Sequence, residues 1–252
     1  RSYRKIIVNG KAVCPESLTA LMNEKAAVNG KLSVYPDEAV VLKGTVKLDR
    51  SFLIRAQDRL YWAEKQFVAV DAKLNVDALA AKGARFAAPK ALVAEELAEK
   101  LVPLFTEETE LVILPEGAAL VDDDLKLTAA ALRRYGSRLY VTGDVSIPAE
   151  SAGVLKQVEY LHAGGTVTVA AALEDAFYAI PDAEYGELRV LKGKLVTDKP
   201  MARITPEMLT LDPDGVTCTD CALVTLDKEL DEESILKKLH ISDCACIRCT
   251  MA

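Results

Sequence analysis

One pattern recurs along this chain: alternating apolar positions interrupted by a glycine, then a segment with helical spacing. The clearest copies begin at Arg138, where RLYVTGDVSIPAESAGVLKQVEY is followed by LHAGGTVTVAAALEDAFYAI. Leu139, Val141, Val145 and Ile147 share one side of the first strand, and Ala163, Val167 and Val169 repeat that set after Leu161. Gly143 and Gly165 stand 22 residues apart, within the period range of stacked-repeat proteins. Strands at these two glycines should therefore be parallel neighbours.

The amino-terminal stretch states the same unit. IIVNGKAVC reads as a strand, Pro15-Glu16-Ser17 opens a helix, and AAVNGKLSVYP follows with Gly30 only 20 residues after Gly10. Asn-Gly is a hairpin signal, but alternation resumes in phase after each glycine, which predicts a kink or bulge inside one extended segment. Gly44 comes 14 residues after Gly30, so a short loop must close that coil. Leu53 to Lys65, around Trp62, shows neither period. FVAVDAKLNV predicts a strand with Ala72 in the glycine position, and Asp77 can cap the helical ALAAKG behind it.

Between residues 86 and 127 the repeat blurs, apart from an amphipathic helix over Val93 to Leu104 and a charged turn at Asp122-Asp123-Asp124. Tyr135-Gly136 and Tyr185-Gly186 both read as helix ends with a glycine cap. The last coils centre on Gly193, Asp220 and Asp243, with helices over Pro206 to Leu211 and Glu232 to Leu239 between them.

LHISDCACI and LYVTGDVSI resemble the LxLxx(N/C)xL core of leucine-rich repeats, and the likeness runs over most of the chain. It departs from that family in spacing, which varies from 14 to 28 residues, and in placing Gly, Asp or Cys where asparagine is favoured. The resemblance implies an α/β, right-handed solenoid of strand–loop/helix repeats, with one parallel sheet on a concave face and helices on the other. It implies protein recognition as the role, and no catalytic residues. On this reading residues 1–252 form a single repeat domain.

Composition narrows the partners. Half of the 252 residues are hydrophobic and 27% are charged, which suits a packed core rather than disorder. The net charge of −7 argues against nucleic acid or an anionic membrane surface as partner, and no apolar run reaches the ~20 residues of a membrane span. Five of the six cysteines crowd after residue 217, unlike an evenly stapled secreted scaffold, so reduced thiols and a cytoplasmic setting are expected.

Those cysteines are the one chemistry-like cluster. Cys218-Thr-Asp-Cys221 and Cys246-Ile-Arg-Cys249 have the spacing of a four-thiolate zinc site, which makes a metal or redox module the alternative function. Against it, Asp220-Cys221-Ala222 and Asp243-Cys244-Ala245 occupy the same place in successive coils, so Cys221 and Cys244 should stack as buried, unligated residues. Strand alternation would also set the two members of each CxxC on opposite sides. His162 and His240 each follow a strand-opening leucine and should project outward, two repeats apart. No nucleophile, base and orienting group co-locate, and no phosphate loop or metalloprotease motif occurs. The expectation is a non-enzymatic protein without cofactor that contacts a protein partner. Without a polar capping repeat after Cys249, the expectation is that either the natural chain continues past Ala252 or two molecules meet end to end through Ile241 to Cys249. Ile6 to Val13 is the other candidate contact, where Arg1 and Arg4 would offer some charge protection.

Overall fold

The computed structural model describes residues 6–249. It is a mixed α/β protein of many parallel strands, in two compact units, residues 1–117 and 118–252. The unit boundary falls inside the stretch where the repeat blurs in the sequence.

In unit 1, β1 (Ile6–Asn9) and β2 (Ala12–Pro15) are followed by α1 (Thr19–Lys25), then β3 (Ala26–Asn29) and β4 (Leu32–Tyr35). β1 pairs with β3 and β2 with β4, both in parallel, Ile6 lying opposite Ala26 and Ala12 opposite Leu32. A second stack follows: β5 (Val40–Leu42), β6 (Thr45–Lys47), α2 (Arg50–Arg55), β7 (Leu60–Ala63), β8 (Gln66–Ala69), α3 (Val76–Ala81), β9 (Arg85–Ala87), β10 (Lys90–Ala94), α4 (Glu95–Leu101) and β11 (Glu110–Leu114). Its ladders run β5-β7-β9 and β6-β8-β10-β11.

Unit 2 repeats the scheme with β12 (Ala119–Val121), β13 (Leu125–Lys126), α5 (Ala129–Tyr135), β14 (Arg138–Val141), β15 (Val145–Ile147), α6 (Ala152–Leu155), β16 (Tyr160–Ala170), α7 (Glu174–Tyr178) and β17 (Asp182–Leu191). β16 and β17 run through the corner, so β12-β14-β16-β17 and β13-β15-β16 fuse into one curled six-stranded sheet. A last stack holds β18 (Lys194–Thr197), β19 (Ala202–Ile204), α8 (Pro206–Leu211), β20 (Val216–Thr219), β21 (Val224–Leu226), α9 (Glu232–Lys238), β22 (Leu239–Ser242) and β23 (Ile247–Cys249), laddered as β18-β20-β22 and β19-β21-β23.

The strands of Gly143 and Gly165 are parallel neighbours, as their alternation predicts. Leu139, Val141, Val145, Ile147, Leu161, Ala163, Val167 and Val169 form one buried cluster with Leu173 and Phe177. Each of the leucine, valine, isoleucine and phenylalanine side chains contributes about 1.5–3 kcal/mol by leaving water. The expected single sheet is replaced by several parallel sheets, because most corner residues turn the strand, whereas β16 continues through Gly165 with a bulge between Ala163 and Thr166. At Gly10, φ is +120° and at Gly44 it is +67°, values that glycine reaches without strain.

Side chains stack at these corners. Asn29 Nδ2 donates to Asn9 Oδ1 at 2.9 Å. Asp124 Oδ1 accepts the Asp144 N–H at 2.8 Å, and Asp144 Oδ1 accepts the Thr166 N–H at 2.8 Å. The charged turn read at Asp122 to Asp124 is therefore one rung of a carboxylate ladder.

Several local expectations are corrected. Asn75, not Asp77, caps α3, its side chain accepting the Ala78 N–H at 3.0 Å. Val93 belongs to β10, so the helix begins at Glu95. Tyr185-Gly186 lies within β17, whereas Gly136 ends α5 with φ +84° as expected. Ala72 follows β8 in a turn, and the corner of that coil is Glu64-Lys65. In the last stack the corner residues are Asp198, Asp220 and Asp243, with φ +56°, +54° and +53°; Gly193 instead joins β17 to β18. The blurred stretch is regular in space, β10 pairing with β11 as Lys90 to Glu110. β22 and β23 each have one ladder partner among the described residues, and Ile247 is 51% exposed. Arg1 and Arg4 lie outside the described residues.

Candidate functional site

Within unit 1 the two stacks meet at a joint, and a hollow of about 430 Å³ opens there. Every residue of β4 lines it, together with Trp62 of β7, Ala87 of β9 and Glu108. Alternation explains the wall: Tyr61 and Ala63 enter the main core, so Leu60 and Trp62 face the other way. There they cluster with Ala87 and are backed by Tyr35 and Ala39. The Tyr35 and Trp62 rings lie 5.3 Å apart at 40°. Lys11 ties the stacks together through Glu64, at 3.1 Å to its carboxylate and 3.0 Å to its carbonyl. The Lys11 hydrogen bond, with a lesser contribution from the Gly44 N–H, holds the Glu64 carboxyl below the usual range.

Ser33 gives this hollow its polar feature. It is 7% exposed, and its hydroxyl has no hydrogen-bond partner. A buried hydroxyl without a partner costs about 1–3 kcal/mol. Glu16, Lys31 and Glu108 stand exposed among the lining residues. Sequence reasoning missed the site because β7 shows no clean period; the short Gly30–Gly44 interval was the available signal, marking a joint where it was read as a short coil.

Unit 2 has a comparable joint, with a hollow of about 560 Å³ lined by Ser146 and Thr168 on one side and by Lys194, Leu195 and Thr197 of β18 on another. Lys126 pairs with Glu150 at 3.1 Å beside it, and Leu211 is 76% exposed. Hydrogen bonds from its own backbone amide and from Lys126 keep the Glu150 carboxyl below its ordinary range.

On the sheet of unit 2, register aligns Tyr140, His162 and Glu184 in one row and Arg138, Tyr160 and Asp182 in the next. His162 Nδ1 lies 3.0 Å from Glu184 Oε2, and its ring stacks on Tyr140 at 4.1 Å and 6°. The Arg138 guanidinium sits over the Tyr160 ring at 5.4 Å, and its Nε is buried without a partner. Burial first, then the Glu184 carboxylate, pushes the Tyr160 phenol up to about 12. His240 stands apart on β22, opposite Thr217, and the two histidines are not brought together.

The cysteines divide. Cys218 and Cys221 are both buried, at 0% and 1% exposure, because the left-handed turn at Asp220 brings both thiols inward against the expected alternation. Cys221 Sγ donates to the Thr219 carbonyl at 3.4 Å, and Cys244, half-buried beside this cluster, donates to the Cys218 carbonyl at 3.8 Å. Burial, and secondarily Cys221 and Cys244, pushes the Cys218 thiol up to about 11, the reverse of what a metal-binding thiolate needs. Cys246 and Cys249 are exposed, so the four residues of the zinc spacing are not brought to one place. Among the described residues no three His, Cys, Asp or Glu side chains form a metal-holding group.

No helix among the described residues is long and apolar enough to cross a membrane. No protein-family model, no curated protein and no solved structure matches this chain.

Proposed function

We propose that this chain is a non-catalytic, cytoplasmic α/β solenoid, similar to leucine-rich-repeat proteins, which acts by holding a partner protein. Parallel crossovers are right-handed in nearly all proteins, which favours a right-handed coil. The observation that carries the binding reading is the joint hollow of unit 1: a strand edge, an aromatic wall and a buried hydroxyl without a partner. Those are recognition features rather than reactive ones. Ser33 has no base within hydrogen-bond reach, and an unactivated hydroxyl is a weak nucleophile. His162 meets a carboxylate and a stacked ring, an arrangement that lacks an aligned nucleophile.

A random-peptide display library tests the proposal. Enrichment of peptides that bind the intact chain with micromolar affinity, and bind Tyr35→Ala at least tenfold more weakly, is the expected result. The reading is overturned if no peptide is enriched.

A further inference from the structure

We infer that the hollow along β4 takes an extended peptide as an added strand, with an apolar side chain against Tyr35 and Trp62 and basic residues toward Glu16 and Glu108. This inference rests on the protein-recognition reading and names the mode and chemistry of the partner.

Three independent features of one place carry it. First, β4 pairs with β2 on one side and with no strand on the other among the described residues, while all four of its residues border the hollow. An unpaired strand edge presents backbone N–H and C=O groups at regular spacing and is a template for another extended chain. A strand added there would lie about 4.8 Å from β4 and direct alternate side chains to its two faces. One face meets Tyr35, Trp62 and Ala87, an apolar surface with little conformational freedom to lose.

Second, the Ser33 hydroxyl in this wall lacks a partner. No group among the described residues bonds it, which leaves an occupant or water to supply the partner. A peptide carbonyl accepts from a hydroxyl and its N–H donates to one, so an extended backbone satisfies Ser33 in either sense.

Third, the exposed charges beside the hollow are Glu16 and Glu108 against Lys31, within a chain of net charge −7. Local and global charge both favour a basic segment.

Trp62 is the chain's one tryptophan and serves as the reporter. The probe is acetyl-Thr-Lys-Val-Thr-Leu-Lys-Thr-amide, titrated into the full chain with fluorescence excited in the tryptophan band. A saturable spectral change is expected. N-methylation of alternate peptide nitrogens removes strand-type donors and should raise Kd at least tenfold. Glu16→Lys combined with Glu108→Lys, both at exposed positions, should raise it about threefold to tenfold. Ser33→Ala should raise it about twofold to tenfold, the range for one lost hydrogen bond. Binding by library peptides that N-methylation leaves unchanged would overturn strand addition while the protein-recognition reading stands. Failure of the probe and of all library peptides would overturn both. Quenching of Trp62 by the chain's own concentration, with a matching dimer in sedimentation, would replace the foreign peptide with a second copy.

Discussion

At the corners, identical positions in successive coils meet, so the demands on one residue depend on which coil lies against it. Gly10 and Gly30 illustrate this. Both adopt positive φ, +120° and +154°, but a Cβ on Gly10 would meet nothing within 4 Å, whereas one on Gly30 would lie 2.1 Å from the Gly10 carbonyl oxygen. Gly10→Ala should therefore carry only conformational strain, about 1 kcal/mol, and Gly30→Ala about 2 kcal/mol more. Urea denaturation of the two variants checks the difference, and equal losses would refute the close-approach argument. The thiols give a second residue-scale outcome. With the Cys218 thiol held up to about 11 by burial, iodoacetamide at pH 8 should label Cys246 and Cys249 first and reach Cys218 and Cys221 only after unfolding. The linkage has a definite sign. A thiol whose folded pKa is raised stays protonated in the fold while the unfolded chain ionises, so stability is present below pH 9 and erodes toward pH 11. Mass spectrometry reads the labelling, and thermal melts from pH 8 to 11 read the linkage.

Among the elements, the strands were legible and their caps and corners were less so. The apolar alternation around Gly143 and Gly165 located β14, β15 and β16 because period two directly dictates which side chains enter the core. It could not reveal that the chain turns at Gly143 but runs on through Gly165 with a bulge, since a kinked strand and a cornered pair present the same apolar pattern. Nor could it identify Asp198 as a corner, because only the observed φ separates that aspartate from the surface carboxylates around it. The α3 cap was misplaced by two residues for a related reason: Asn75 and Asp77 are both competent caps, and chain geometry chose the asparagine. Asn75→Ala should cost about 1 kcal/mol of stability, and Asp77→Ala less, since Asp77 sits in the first turn and pairs only with exposed Lys100. Differential scanning calorimetry of both variants decides between the caps; a larger loss for Asp77→Ala would restore the sequence assignment.

For the whole molecule, the sequence carries the repeat but hides its interruptions. The joints at residues 36–39 and 192–193 are too short to hold a linker composition, and the candidate site of unit 1 formed at one of them, from strands that no shared motif connects. The boundary at Gly117 was hidden too, because β11 and β12 both read as apolar strands. Its physical meaning lies in the cores. Leu48 to Leu101 supply one buried cluster, Val121 to Ile180 another and Ala202 to Leu226 a third, and none of these clusters crosses Gly117. A unit with its own buried cluster and its own ladders holds the interactions that make unfolding cooperative. A fragment comprising residues 118–252 should therefore fold alone, with one cooperative urea transition and with Cys218 still protected from iodoacetamide. Leu139→Ala should lower the stability of that fragment by about 2–5 kcal/mol, as expected for emptying a fully buried leucine site. In the full chain the same substitution should leave the transition of unit 1 in place, followed through Trp62, which belongs to unit 1 alone. A fragment that is molten by near-ultraviolet circular dichroism, or a Trp62 signal that shifts together with Leu139→Ala, would show that the two units fold as one.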